Sequence, residues 1–512
     1  MDKNKKLGGW LVALLFVVVF FMYSYNLTGW LIHDDEGGYL YQSWRMTKGE
    51  VPYKDFYTPK EPLFLFTGYL IFKLFGPAVF WARTFSVLAT ILTGYLIFLI
   101  GRRVYNYTVG LLASIFYLIL PVVFFQARLF RSDAHAILFS TLGLFLFIKA
   151  WQDNRKLFFA YSGISYALSI CYKFSGALGA TAVLLFILYQ AVTEKKAPVM
   201  KNCFLFFISG FVTAILAVVA VLSNIAPGFF TCLVGHQANQ PLLAASNLLA
   251  TVIGNLEDLL MIAPRQYGIG DKHPWLIIFS LPVLIRYMFL KKDLRKIFSF
   301  YAMSIVFLLF NPYPGANFRY SLYFLPTTML VFAGISFNVF DRNRRIIIRG
   351  LALLVLIFSL FKVFIPGLLR DFALSGIKEN STLALAEYVK GYTSDGDYVA
   401  ADYGDVLFYA KRKTTPLMAA MSKSTVECGA ITSSRLIDEF EKYRVKMVLI
   451  HREGKIPSDL GFIMGNLFEP DHFNTLINSP DGDKLLFYLN QRYRFIGNFK
   501  RTGQVFDVYI RK

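Results

Sequence analysis

Three consecutive carboxylates, Asp34, Asp35 and Glu36, stand just after the first long apolar run, in the segment IHDDEGGYLYQSWRMTKGEVPYKDFYTPKEPLFLF. Carboxylates repel one another and are costly beside hydrocarbon, so three together at that depth need compensation. A carboxylate can take a proton from an attacking group, and cations beside it can hold an anionic leaving group. Arg45, Lys48, Lys54 and Lys60 follow in the same segment. On composition alone they read as the neutralising partners of a solvated interfacial patch.

Other charged turns are candidates for the same neighbourhood. Lys173 lies in CYKFSGAL, and Arg319 with Tyr320 lies in NPYPGANFRYSLYFLP. The plain reading of each cation is a snorkelling side chain that anchors a helix end. Arg128, Arg131, Asp133 and His135 share the turn ARLFRSDAHAILF, where an interfacial ion pair is the simplest account. His236, in VGHQANQP, is a candidate metal ligand beside a first-loop carboxylate, although a lone histidine is usually not a ligand. A divalent cation is therefore left open. The four cysteines have no metal-ligand spacing and read as small buried hydrophobes.

What must position these residues is a membrane scaffold. The chain is 56% hydrophobic and 17% charged, against about 45–50% and about 25% in soluble domains. The excess is gathered into blocks of roughly the 20 residues that a span needs. That is the pattern of a polytopic α-helical membrane protein, with its lipid-exposed backbone hydrogen-bonded within each segment. The net charge of +20 sits in short loops between the blocks. Such placement follows the positive-inside rule and argues against nucleic acid as a partner. The start MDKNKK and the apolar run after it resemble a signal peptide, but no convincing cleavage site follows, so the run reads as a retained first helix.

Basic clusters lie at Lys3/Lys5/Lys6, Arg102/Arg103, Arg155/Lys156, Lys195/Lys196/Lys201, Lys291/Lys292/Arg295/Lys296 and Arg342/Arg344/Arg345. If all are cytoplasmic, an even number of spans separates each neighbouring pair. Runs near 82–100, 107–125, 134–151, 157–172, 176–192, 203–222, 274–290, 297–311, 320–340 and 346–366 satisfy that condition. With the first helix they predict about eleven transmembrane helices, the N-terminus cytoplasmic and the C-terminus outside. Pro62–Phe75 and Pro241–Ala263 then become amphipathic helices on the outer interface. Residues 1–370 form the transmembrane part, with a first outer loop at 31–80. Residues 371–512 turn polar, with strand patterns DYVAADY, KMVLIHR and VFDVYIRK and helical patterns at 381–393 and 433–444. They predict a C-terminal soluble α/β domain outside the cytoplasm.

The first outer loop also carries a wider pattern. D-E-x-x-Y (Asp35, Glu36, Tyr39) precedes G-x-x-P-Y-x-D-F, which holds Tyr53 and Asp55, and then K-x-P at Lys60. With the following KLFGPAVFWARTFSVLATI, this resembles the GT-C membrane glycosyltransferases of the protein O-mannosyltransferase and aminoarabinose lipid A transferase superfamily. It looks most like the bacterial branch described as dolichyl-phosphate-mannose-protein-mannosyltransferase-like, over roughly residues 7–340. The resemblance implies that the loop's acidic pair is catalytic, and that pair aligns best with Asp35 and Glu36. Asp34 is additional, so the choice between Asp34 and Asp35 as the base stays open. It further implies that Arg319, Tyr320, Lys60 and Lys173 hold the donor phosphate, a role for which arginine is well suited. Asp133, Arg131, Tyr39, Tyr53 and Asp55 become candidates for acceptor contact or support of the site.

The activity so implied is transfer of a sugar from a polyprenyl-phosphate donor to a lipid, glycan or protein acceptor. It would take place on the outer face of the plasma (inner) membrane, by a single displacement that inverts the anomeric centre. A phosphate is already a good leaving group, so a base and cations matter more than a general acid. The alternative is a transporter or flippase of lipid-linked glycans. That reading calls for ionisable residues within the spans and for repeat symmetry. The charges here gather at outer helix ends, and no repeat is visible.

Overall fold

The computed structural model describes residues 3–29, 34–193, 197–239, 252–253, 283–289, 293–304, 322–338, 365, 381–422, 425–426, 428–452, 481–501 and 504–512. Eleven helices occupy the described part up to residue 239: α1 (Lys3–Ser24), α2 (Asp34–Thr47), α3 (Pro62–Phe75), α4 (Val79–Val104), α5 (Tyr107–Leu118), α6 (Pro121–Ala127), α7 (Ser132–Asp153), α8 (Lys156–Tyr172), α9 (Ala177–Thr193), α10 (Ala197–Ile225) and α11 (Phe229–Asn239). Among the described residues, Val79–Val104, Ser132–Asp153, Phe174–Thr193 and Met200–Ile225 are long and apolar enough to cross a membrane. The runs expected at 274–290, 297–311, 320–340 and 346–366 lie wholly or partly outside the described residues, and Pro241–Ala263 almost wholly so.

Local chemistry sets several helix ends. Pro62 opens α3 at the position where its missing N–H costs nothing, and α3 spans the expected residues. The run expected as one helix at 107–125 is instead two. Leu120, held extended at φ −64°, ψ 126°, precedes Pro121, whose ring disfavours the helical region for the residue before it. Small residues let helices touch. A Cβ on Gly163 would stand 2.0 Å from the Phe207 carbonyl oxygen, and one on Gly210 2.1 Å from that of Ala160, so α8 and α10 cross backbone to backbone.

Beyond residue 381 the described elements are mixed α/β. Strands β1 (Val399–Ala401), β2 (Met447–Arg452), β3 (Tyr493–Arg501) and β4 (Gln504–Arg511) form one sheet in the order β1-β2-β4-β3. β1 pairs parallel to β2, and β4 runs antiparallel to both β2 and β3. β3 was not among the expected strands; a register shift between Phe495 and Gly497 interrupts its alternation. One face of the sheet packs Ala400, Val448 and Ile450 on Leu436, Phe440 and Leu485. The other places Val399, Met447 and Val508 in a core shared with Leu385, Leu407 and Phe408, and with Leu40 and Trp44 of α2 and Phe64 and Phe72 of α3. The C-terminal sheet and the α2–α3 segment are thus two sides of one hydrophobic core.

At that seam the Lys411 ammonium lies 3.7 Å from the Phe408 ring centroid and 5.6 Å from that of Trp44. Burial, with Lys390 and Lys48 nearby, lowers its pKa to about 8. Between that value and the ordinary lysine pKa of about 10.4 the unfolded chain binds more protons, so stability rises with pH across this window. Lys411→Met is expected to stabilise the full chain at pH 7 and to flatten the rise between about pH 8 and about pH 10. Denaturation of the detergent-solubilised protein at several pH values measures both effects.

Candidate active site

The first turn of α2 carries the acidic residues, where the helix dipole favours negative charge. Asp34 opens the helix; its side chain lies outside the described residues. Asp35 and Glu36 are held in contrasting ways. Asp35 Oδ1 accepts from Lys60 Nζ at 3.2 Å and Oδ2 from Arg131 Nη2 at 2.9 Å. Glu36 Oε1 accepts from Arg83 Nε and from the Phe130 N–H, each at 2.8 Å, and Oε2 from Arg83 Nη2 at 2.7 Å.

The ion pairs extend into a row of alternating charge drawn from four parts of the chain. Arg131 Nε stands 3.8 Å from Asp133 Oδ2, and Lys173 Nζ donates to Asp133 Oδ1 at 2.7 Å. In order the row reads Lys60, Asp35, Arg131, Asp133 and Lys173, three cations against two anions. Exposure sorts the carboxylates: Asp35 is 28% exposed, Asp133 5% and Glu36 0%. Only Asp35 of these three is open enough for a substrate atom to reach. Burial alone would lower the Lys60 ammonium, but Asp35, Tyr39 and Glu61 hold it above the ordinary lysine range. Lys60 therefore stays charged at neutral pH, which an anion site requires.

The loop around Lys60 is built to place it. The Lys60 carbonyl accepts from Tyr53 OH at 2.6 Å, and its Nζ lies 5.2 Å from the Tyr39 ring centroid. Tyr53 itself takes a left-handed conformation, φ 66°.

Residues 58–226 match the family model described as dolichyl-phosphate-mannose-protein mannosyltransferase. That match begins after α2 and leaves Asp35 and Glu36 outside it. No curated protein matches the chain in sequence. Among solved structures, ArnT from Cupriavidus metallidurans bound to undecaprenyl phosphate is similar with a TM-score of 0.63 at 15% identity, over 98% of both chains. The Archaeoglobus fulgidus oligosaccharyltransferase in complex with Zn and sulfate is similar at 0.52 and 15% identity, over 85% of this chain and 67% of that one. The chain has the GT-C glycosyltransferase fold. The archaeal oligosaccharyltransferase AglB from the same organism, in complex with an inhibitory peptide and a dolichol-phosphate, is similar at 0.50 and 13% identity, over 99% and 74%. The GT-C fold and the apolar helices make this an integral membrane protein.

Within the GT-C fold the other expected site residues divide three ways. Lys60, Lys173, Arg131 and Asp133 join Asp35 in the charge row, and Tyr39 lines it, with its OH 3.4 Å from Ser132 Oγ. Tyr53 and Asp55 support the loop instead. Tyr53 is buried behind Lys60, and Asp55 Oδ2 accepts from the Val51 N–H at 2.7 Å to close a turn. Arg319, Tyr320 and the His236 side chain lie outside the described residues. Among the described residues no group of three or more His, Cys, Asp or Glu is placed to hold a metal ion. In the turn that carries Arg131 and Asp133, Arg128 donates to the Tyr25 carbonyl, and His135 stacks on Tyr172 with 5.4 Å between centroids.

Two residues of the site were not singled out from sequence. Arg83, the buried partner of Glu36, also donates to the Leu27 carbonyl and so joins α4 to the end of α1 and to α2. Its signal was a lone arginine inside an apolar span, which calls for a partner. Glu61 accepts from the Phe174 N–H at 3.0 Å. Burial raises its pKa against the pull of that hydrogen bond and of Lys173 and Lys60.

Proposed function

We propose that this chain transfers a sugar from a polyprenyl-phosphate donor to a lipid, glycan or protein acceptor on the outer face of the plasma (inner) membrane. The observation that carries the reading is the accessible Asp35 carboxylate set between Lys60 and Arg131 in a GT-C fold. Asp35 is the general base: it takes the proton of the acceptor as the acceptor's nucleophilic atom bonds to the anomeric carbon. The bond from that carbon to the phosphate oxygen breaks, and the electron pair leaves with the polyprenyl phosphate. Attack opposite the leaving group inverts the anomeric centre. Lys60, Arg131 and Lys173 stabilise the departing phosphate. Arg319 and Tyr320 are assigned to the same phosphate by resemblance alone.

Glu36 takes no part in proton transfer under this proposal. Both its oxygens are occupied and it is closed to solvent, so it anchors the helix that presents Asp35. The α/β elements beyond residue 371 lie outside the cytoplasm. A transporter reading gains no support from the charge row, whose members sit at or beside the ends of α2, α3, α7 and α8.

The purified protein in nanodiscs, given undecaprenyl phosphate loaded with radiolabelled mannose, glucose or 4-amino-4-deoxyarabinose and a membrane extract as acceptor, is expected to release undecaprenyl phosphate and label the acceptor from at least one donor. Acceptor-independent movement of intact donor across the bilayer, with no labelled acceptor from any of the three, would overturn the reading in favour of a flippase.

A further inference from the structure

We propose that the Gly404–Ala410 helix of the C-terminal elements is a positioning device for Asp35, acting through direct backbone contact with Gly37. The inference rests on the reading of Asp35 as the base. A Cβ built on Gly404 would lie 2.8 Å from both the carbonyl carbon and the oxygen of Gly37 and 2.9 Å from the Gly38 nitrogen. A Cβ on Gly37 would lie 2.7 Å from the Asp405 nitrogen. Every one of these neighbours is backbone. Neither side admits a methyl group, so the two chains meet where only glycine fits.

Gly37 stands two residues after Asp35, in the same turn of α2. Whatever shifts or rotates that turn moves the Asp35 carboxylate against Lys60 and Arg131, which belong to other elements. Further along, the same surface is pinned at several points. Gln42 Nε2 donates to the Ala419 carbonyl at 2.9 Å while its Oε1 accepts from Thr58 at 2.9 Å. The Thr414 N–H donates to Tyr41 OH at 2.7 Å, the Tyr57 N–H to the Pro416 carbonyl at 3.0 Å, and Lys413 pairs with Glu50 at 2.7 Å. Gln42 is buried in this seam. Hydrogen bonds buried this way fix both register and rotation of α2 rather than merely covering it.

Relieving a 2.8 Å contact to ordinary van der Waals distance requires a displacement of about 0.6 Å. Catalytic groups tolerate about 0.5 Å, and a misplacement of about 1 Å can cost about 10²-fold in rate. The C-terminal elements thereby act on the height of the base rather than on the affinity for lipid phosphate: Arg131 and Lys173 are carried by the start of α7 and the end of α8, and Lys60 meets the seam through its backbone N–H, which donates to Thr58 Oγ1 at 3.3 Å.

The test compares Gly404→Ala with Gly396→Ala, whose added methyl meets nothing within 4 Å, in the full chain in nanodiscs. Gly404→Ala is expected to lower kcat at least about 10-fold, while the Kd for undecaprenyl phosphate stays within about two-fold and its binding stoichiometry is unchanged; Gly396→Ala behaves as wild type. Loss of turnover only in proportion to lost binding sites would mean a folding defect and overturn the proposal, as would wild-type kcat. If Gly404→Ala does not accumulate, Tyr41→Phe removes the seam hydrogen bond from the Thr414 N–H without adding an atom and is expected to lower kcat at unchanged Kd; unchanged kcat overturns the proposal. Asp35→Asn separates the two levels. Retained turnover there defeats the base assignment, whereas abolished turnover with wild-type kcat in the seam variants defeats the positioning inference alone.

Discussion

Replacing Asp35 by Asn is expected to lower the transfer rate by about 10²–10⁴-fold, the usual worth of a positioned general base. The amide keeps the shape of the side chain and an oxygen for one of its two partners, so folding is not the cause of the loss. The same change also removes the negative charge that lies 3.2 Å from Lys60 and 2.9 Å from Arg131. In the unliganded site that charge competes with any incoming phosphate for both cations. One unit charge at about 4 Å in water-like surroundings is worth about 1 kcal/mol. The Asn variant is therefore expected to bind undecaprenyl phosphate several-fold more tightly than wild type while turning over far more slowly. A residue whose role was only to hold the donor would show the reverse, weaker binding with turnover preserved at saturation. Calorimetry with undecaprenyl phosphate alongside single-turnover transfer distinguishes the two. Tighter or equal binding combined with full turnover would remove Asp35 from the chemistry.

How much of this was legible in the sequence depends on the range of the interaction. Helices α3 and α4 were readable because apolar length and a flanking Pro62 or Arg102/Arg103 act locally. The acidic triplet and Lys60 were visible as unlike charges in one loop. Their partners were not: Asp35 meets Arg131 across 96 residues and Glu36 meets Arg83 across 47, and no period or spacing encodes such pairings. The division of labour within the acidic pair was equally hidden. Asp35 and Glu36 are adjacent and chemically alike, and only the fold shows that one faces a charged, half-open site and the other a closed arginine fork. Pro121 should have split the 107–125 run on local grounds alone, since the residue before a proline resists the helical region. β3 escaped because its alternation is broken by Gly497 at a register shift and its worth lies in pairing with β4. The glycine contact between Gly37 and Gly404 had no sequence signal. GG after the acidic pair reads as flexibility until the chain that lies against it is known.

The Glu36–Arg83 pair yields the largest expected effect on stability. Both side chains are wholly closed to solvent, and the pair is bidentate. Glu36→Gln leaves the Arg83 guanidinium charged and uncompensated, and turns the Gln amide nitrogen, a donor, toward another donor. Breaking a buried ion pair from one side costs about 3–5 kcal/mol, enough to consume a large part of a typical domain's stability. The variant is expected to show a sharply lowered unfolding midpoint and reduced yield in the membrane fraction, with activity lost in proportion to folded protein. The double variant Glu36→Leu with Arg83→Met carries no stranded charge, since apolar replacement of both partners is often neutral or better. Its Phe130 N–H loses an acceptor, which costs about 1–3 kcal/mol, and the Leu27 carbonyl loses the Arg83 donor, so it is expected to fall below wild type, with Glu36→Gln, which keeps a stranded charge, lower still in midpoint. Turnover per folded molecule in the double variant then decides the role of Glu36. Substantial residual turnover means that Glu36 holds the helix and Asp35 does the chemistry. A well-folded Glu36→Gln protein with no turnover would instead make Glu36 a second catalytic carboxylate, and the closed arginine fork would have to open during the reaction.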